Sequence, residues 1–175
     1  MSAHLISRRR IVTGVASIMP VGAVSLLVPS VANADDELHQ SRHVGADIAA
    51  LHELQSRFHE SISGGGHIDE LVSLWADDAT FIAGGSTLHG KDEIRSFFLQ
   101  GGGFTHNWVS VSPAWKTRFQ VHGNTADIYF ECHFVDWQAN PQVVLTHGTF
   151  EGTAGKVDGR WLFRHITAGV NPLTP

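Results

Sequence analysis

The stretch IDELVSLWADDATFIAGGSTLHGKDEIRSFF, residues 68–98, decides the fold of this chain. Its first apolar residues recur at helical spacing, residues 80–83 predict a short strand, and residues 94–98 begin a second helix. Between strand and helix, Gly-Gly-Ser at residues 84–86 is typical of a hairpin turn, with a returning strand at residues 87–88. The predicted order is helix, small hairpin, helix.

Residues before this stretch predict one more helix. From Ala46 the apolar positions step by three or four as far as Ile62, with charged residues between them. The glycines at residues 64–66 end this helix, because glycine adopts the left-handed cap conformation without steric cost.

Residues after it predict a sheet, since the apolar period changes to two beyond Gly103. Strands are expected over residues 104–111, 115–122, 125–137, 143–152 and 160–168, with a bend at Pro113. One face of the long strand is entirely apolar and should pack on the helices; it comprises Ala126, Ile128, Phe130, Cys132 and Phe134.

Three motifs together carry a resemblance to a known family. They are Leu-Trp-Ala-Asp-Asp-Ala-Thr-Phe at residues 74–81, His-Gly-Lys-Asp-Glu-Ile at residues 89–94, and the pair Phe97 and Phe98. This pattern resembles the SnoaL-like branch of the NTF2-like superfamily. The resemblance implies an α+β fold over residues 46–170, an NTF2-like cone in which three N-terminal helices pack on a strongly curved antiparallel sheet. It also implies a pocket lined by aromatic side chains.

The first 34 residues have the pattern of an export signal. Adjacent arginines, Arg8 and Arg9, precede an apolar, uncharged run over residues 11–31, and Ala-Asn-Ala at residues 32–34 fits a signal peptidase site. We expect a twin-arginine signal cleaved after Ala34, a flexible leader over residues 35–45, and a secreted, periplasmic or cell-envelope location. An uncleaved membrane anchor is the alternative, but several glycines and prolines make the run weakly hydrophobic. No stable membrane insertion is expected after cleavage.

The net charge argues against one class of partner, and the cysteine content excludes one kind of covalent cross-link. Residues 1–34 contain three arginines and no other Lys, Arg, Asp or Glu, so cleavage changes the formal net charge from −5 to −8. This balance argues against nucleic acid as a partner, since phosphates require a basic surface. Cys132 is the single cysteine, which excludes an internal disulfide.

The chain has 12 histidines, yet it lacks the motifs of a metal site. There is no His-Glu-x-x-His motif and no cysteine pair. Glu131 and His133 lie on one face of the long strand, where a metal would need a third ligand and where simple polar pairing explains them equally well. We therefore expect no metal and no cofactor.

His106 is the candidate catalytic residue. SnoaL-like and dehydratase-like relatives carry a histidine near this place that points into the cavity, which implies a general acid or base role. A buried histidine bonded to a backbone carbonyl is the equal alternative. Relatives that catalyse dehydration, isomerisation or ring closure pair this histidine with a tyrosine and an aspartate on the first helix. This chain has Phe58 and Ser63 at those positions, so both proton-handling groups are absent.

A second set of residues is expected to line the pocket. His147 and His165 lie on otherwise apolar strand faces and could pair with His106, either as a proton-sharing pair or as a hydrogen-bonded core pair. With the aromatic candidates, the predicted ligand-binding residues are Phe58, Trp75, Trp108, Phe130, His147 and His165.

Two functions follow from these observations. The first is an exported protein that binds a small apolar or aromatic ligand, polyketide-like or steroid-like, in the cone. The resemblance implies cofactor-free isomerase, dehydratase or cyclase chemistry if it is an enzyme. The second is a non-catalytic homodimeric accessory or scaffold module that uses the open sheet face.

Overall fold

The computed structural model describes residues 31–64, 67–100, 108–136 and 143–172. The predicted helix, hairpin, helix order is confirmed, although the hairpin begins earlier than expected, at Trp75. In chain order the elements are α1 (Val31–Ile62), α2 (Ile68–Ser73), β1 (Trp75–Ala83), β2 (Ser86–His89), α3 (Gly90–Gln100), β3 (Trp108–Val111), a short 3-10 helix (Ala114–Lys116), β4 (Thr117–His122), β5 (Thr125–Asp136), β6 (Val143–Val157) and β7 (Arg160–Pro172).

All seven strands form one sheet in the order β2-β1-β7-β6-β5-β3, and β4 also pairs with β5. β3 and β4 follow one another along the same edge of β5, and Pro113 lies in the interruption between them, as predicted. The prediction of an all-antiparallel sheet is wrong, because β1 and β7 run parallel. A hairpin forces its two strands to be antiparallel, but 76 residues, 84–159, separate the end of β1 from the start of β7, so no turn sets their relative direction.

The core lies between α1 and the sheet. The expected apolar face of β5 is confirmed, since Ala126, Ile128, Phe130 and Cys132 are at most 4% exposed. From α1, the ring of Phe58 packs against aromatic rings on β5, β6 and β7. Burying large apolar side chains on both layers is the main term that holds helix and sheet together.

Helix α1 is longer than the sequence pattern indicates. Residues 35–45, predicted as a flexible leader, are part of α1, and residues 41–46 are exposed. Asp47 on α1 contacts the sheet: it accepts a 3.1 Å hydrogen bond from the Trp161 indole and forms an ion pair with Lys156. The predicted twin-arginine motif lies outside the described residues. Among the described helices, none combines the length and apolar character that crossing a membrane requires.

Leucines on two helices provide a matched test of this packing. Leu51 on α1 is 1% exposed, whereas Leu99 on α3 is 54% exposed. We expect Leu51→Ala to lower the free energy of unfolding by about 2–5 kcal/mol, because it removes buried methyl groups and leaves a cavity. Leu99→Ala should change it by less than about 1 kcal/mol. Urea denaturation measures both values, and equal losses would contradict the assignment of Leu51 to the core.

Candidate functional site

An open groove of about 440 Å³ lies between α1 and the edge formed by β3 and β4. On the α1 side its lining residues are His52, Gln55, Ser56 and His59. The buried Gln55 amide donates to Ser112 Oγ at 3.0 Å and to Thr117 Oγ1 at 3.1 Å, so α1 is attached directly to the opposite wall. The volume falls within the range of small-molecule sites.

His59 lies where this groove meets the aromatic core. Its Nδ1 is 2.7 Å from Ser110 Oγ, and its ring lies 5.8 Å from the Phe58 ring and 5.6 Å from the Phe130 ring, between centroids. Burial lowers the pKa of His59 to about 4, because the apolar surroundings disfavour the charged imidazolium. The side chain is therefore a neutral imidazole at neutral pH.

Serines hold His59 and the end of α1 against β3. The Ser63 hydroxyl donates to the His59 carbonyl at 2.6 Å and accepts from the Ser110 backbone N–H at 2.8 Å. Ser110 is 5% exposed, and it also hydrogen-bonds the buried thiol of Cys132. Ser63, which the sequence resemblance places at the position of an aspartate in catalytic relatives, thus joins the helix to the sheet edge.

Two buried polar atoms have no hydrogen-bond partner within the described ranges, His59 Nε2 and Trp75 Nε1. The Trp75 indole is fully buried and contacts the rings of Phe81 and Phe163, at centroid distances of 4.9 and 5.2 Å. An unpaired buried polar group costs free energy, so each such atom requires an explanation. A bound molecule that supplies the missing partner is one such explanation.

Comparison with known proteins identifies the family. Residues 45–167 match the SnoaL-like domain family, which is most of the described chain. The protein belongs to the SnoaL-like domain family. No curated protein matches its sequence.

Solved structures of several other proteins have the same fold. An NTF2-like protein with a cystatin-like fold from Novosphingobium aromaticivorans has a TM-score of 0.66 at 14% identity, covering 84% of this chain and 94% of that one. A protein of unknown function with a cystatin-like fold from Nostoc punctiforme has a TM-score of 0.65 at 18% identity, with coverages of 74% and 95%. A hexachlorocyclohexane dehydrochlorinase has a TM-score of 0.57 at 17% identity, with coverages of 74% and 90%. At these identities the likeness shows the fold.

Three aromatic residues predicted to line the pocket lie deep in the SnoaL-like core. Phe58, Trp75 and Phe130 are each 0% exposed. Phe58 and Phe130 contact one another at 5.8 Å between ring centroids, and both contact His59. The structure thus brings these two rings together beside the groove, and their contact with a ligand stays a prediction.

His147 lies on the other side of the sheet. It pairs directly with His133 across β5 and β6, and their rings are 5.9 Å apart. Directly paired residues share a face. Since the neighbouring Cys132 faces the core, His133 and His147 face away from it.

His165 is exposed on β7, although its strand alternation with Trp161 and Phe163 places it on the buried face. The cause is a β-bulge: Phe163 pairs with Ala154 and His165 with Thr153, so Arg164 is an extra residue. Beyond the bulge the alternation is reversed, and Ile166 is buried while His165 is not.

Two predicted residues fall at the edge of what the structure describes. His106 lies outside the described residues, two positions before the start of β3, and its catalytic role stays a prediction. Trp108 is the first residue of β3 and its backbone pairs with Asp136.

The pair Glu131 and His133 forms as a polar contact at 3.3 Å on the outer sheet face. Glu131 also accepts from Lys116 at 3.1 Å and from the Tyr129 hydroxyl at 3.2 Å. The Lys116 ammonium holds the pKa of Glu131 below its usual value. Within the described ranges, no group of three or more His, Cys, Asp or Glu side chains could hold a metal ion.

His59 is the candidate that sequence reasoning missed. A signal for it exists: His52, Gln55, Ser56, His59 and Ser63 recur at helical spacing beside the apolar stripe of α1. All five are polar and carry no formal charge with histidine neutral, whereas the charged residues of this helix lie elsewhere on its surface. An uncharged polar stripe next to an apolar one indicates a helix face that is covered by another polar surface.

The neutral state of His59 predicts a pH dependence of stability. Unfolded histidine titrates near 6.5 but folded His59 near 4, so between these values the unfolded state binds more protons and stability falls as the pH is lowered. The free energy of unfolding of the wild type should fall as the pH is lowered from 7 to 4. We expect this fall to be smaller in His59→Asn than in the wild type by about 3 kcal/mol. Urea denaturation at each pH measures it, with exposed His165→Asn as the control. Parallel curves for wild type and His59→Asn would contradict the prediction.

Proposed function

We propose that this SnoaL-like protein binds a small, uncharged apolar or aromatic molecule beside His59, where the groove meets the aromatic core. The observation that carries the proposal is the buried His59 Nε2, which has no partner within the described ranges. A polar atom of the ligand would satisfy it, and the rings of Phe58 and Phe130 would contact the apolar body. For a ligand to reach His59 Nε2, the side chains that cover this atom must move apart locally.

The charge state of His59 constrains the ligand. Because burial lowers the pKa of His59 to about 4, the imidazole is uncharged and offers a neutral hydrogen bond rather than an ion pair. A carboxylate or phosphate would have to enter apolar surroundings without a counter-charge, which is costly. The site therefore favours a neutral molecule.

The same pKa makes His59 better suited to binding than to acid–base catalysis. General acid–base catalysis is most effective when the pKa lies near the working pH, and a histidine with a pKa of about 4 is a weak base and a scarce acid at pH 7. Cofactor-free isomerase, dehydratase or cyclase chemistry in this protein would rest on His106, the candidate from the sequence. The dehydrochlorinase relative shares the fold only.

Native mass spectrometry of the protein purified from its own host tests the binding function. We expect a retained small-molecule mass in the wild type. The variant His59→Asn keeps a polar atom near the Nδ1 position and removes Nε2. Its affinity for that molecule should be about 3- to 10-fold lower, which corresponds to the loss of one neutral hydrogen bond. His59→Gln, which returns a polar atom near the Nε2 position, should restore part of the affinity. A homodimer without any adduct, even from host extract, would contradict the proposal.

That outcome would favour the second function, a homodimeric accessory module. The observation behind it is the outer side of the sheet, where Tyr129, Glu131 and Lys116 form an ordered polar network. Trp115, next to this network in sequence, is 82% exposed, and exposed tryptophans are enriched at interfaces.

Export is part of the proposal and rests on the sequence of residues 1–34. Replacing Arg8 and Arg9 by lysine should reduce the exported fraction and leave uncleaved precursor in the cell, since the arginine pair is the feature that the export system reads. Cell fractionation with immunoblotting measures this, and amino-terminal sequencing of the exported wild type should begin at Asp35. Arg42→Lys, outside the signal, is the control. Unchanged export of the double variant would contradict the proposal.

A further inference from the structure

A chain of three buried polar groups ends at the candidate site. The Cys132 thiol hydrogen-bonds Ser110, and Ser110 Oγ lies 2.7 Å from His59 Nδ1. Cys132 is 0% and Ser110 5% exposed, so water does not compete for these bonds. The other nitrogen of the same imidazole, Nε2, is the atom left without a partner within the described ranges.

The hydrogens in this chain have two consistent arrangements. In one, the thiol donates to Ser110 Oγ and the Ser110 hydroxyl donates to Nδ1, which leaves a hydrogen on Nε2. In the other, Nδ1–H donates to Ser110 and Ser110 donates to sulfur, which leaves a bare lone pair on Nε2. A neutral imidazole has one donor and one acceptor nitrogen. The direction of the hydrogen bond between Ser110 and Nδ1 therefore determines whether Nε2 is a donor or an acceptor.

Geometry and acid–base chemistry favour the first arrangement. Hydrogen bonds with a hydroxyl donor cluster near 2.7–2.8 Å, whereas those with an N–H donor are longer, near 2.9–3.0 Å. The observed 2.7 Å matches a hydroxyl donor and lies at the short end of the range for an N–H donor, about 2.7–3.2 Å. Burial raises the pKa of the Cys132 thiol, so sulfur keeps its hydrogen and can donate it to Ser110.

We propose that Ser110, supported by Cys132, holds His59 in the tautomer with hydrogen on Nε2, and that the site therefore recognises an uncharged acceptor oxygen, such as a carbonyl, on an apolar or aromatic molecule. Ser110 is thus a positioning residue that acts through His59. The ligand half of this inference rests on the proposed function; the tautomer half does not.

The tautomer is measured directly on the ligand-free wild type by long-range nitrogen–proton NMR of the imidazoles. His59→Asn assigns the signals of His59 by their disappearance. We expect hydrogen on Nε2 and none on Nδ1. In Ser110→Ala the Nδ1–H form should gain population, whereas Ser112→Ala, whose hydroxyl accepts from Gln55, should leave the wild-type tautomer unchanged. A wild-type Nδ1–H tautomer would overturn the inference, and this measurement needs no variant at position 110 to fold.

The ligand half is tested with two probes of matched shape, 2-acetylnaphthalene and 2-isopropenylnaphthalene, which differ in a carbonyl oxygen against a methylene group. We expect the wild type to bind the ketone about 3- to 10-fold tighter than the hydrocarbon beyond their difference in solubility in water, and this ratio to approach one in His59→Asn. Titration calorimetry or tryptophan fluorescence measures both.

The outcomes separate the two proposals. Equal binding of ketone and hydrocarbon by the wild type would overturn the acceptor-oxygen inference while leaving apolar ligand binding intact. If neither probe binds, the ligand class named here and the binding function for such aromatic molecules are contradicted. The NMR result still decides whether Ser110 holds the tautomer.

Discussion

The packing of Phe58 against the sheet is the interaction on which the rest of this structure depends. A single ring from α1 meets Phe150 at 4.6 Å between centroids, and Phe130 and Phe163 at 5.8 Å each, so one helix position contacts three adjacent strands. Aromatic rings bury large apolar areas and prefer offset or edge-on contacts, which fixes orientation as well as distance. This contact sets how α1 crosses the sheet, and thereby where the next residue, His59, lies.

The same contact explains why the site differs from the tyrosine and aspartate pattern of catalytic relatives. A tyrosine hydroxyl among these rings would need a partner, whereas phenylalanine needs none. Ser63 joins α1 to the Ser110 backbone instead of supplying a proton-handling carboxylate. His59 is a titratable group beside the core, and its surroundings keep it neutral.

One irregularity in the sheet has a large effect on which residues belong to this site. The bulge at Arg164 lets β7 present Phe163 and Ile166 to the core and turns His165 outward. The partner strand accommodates it at Gly152, where φ is 148° and a Cβ would lie 1.9 Å from the His165 carbonyl oxygen. Only glycine fits there without displacing the backbone.

By itself the sequence determined the local structure: the helix, hairpin, helix order, the buried face of β5, and the interruption of the sheet edge at Pro113. These features depend on neighbours along the chain, where period and turn chemistry carry the information. The family resemblance was recoverable for the same reason. Only the tertiary structure decided the parallel pairing of β1 with β7, the outward faces of His147 and His165, and the selection of His59. Each of these depends on residues far apart in sequence that share a register or a contact, and local periodicity does not encode such pairings.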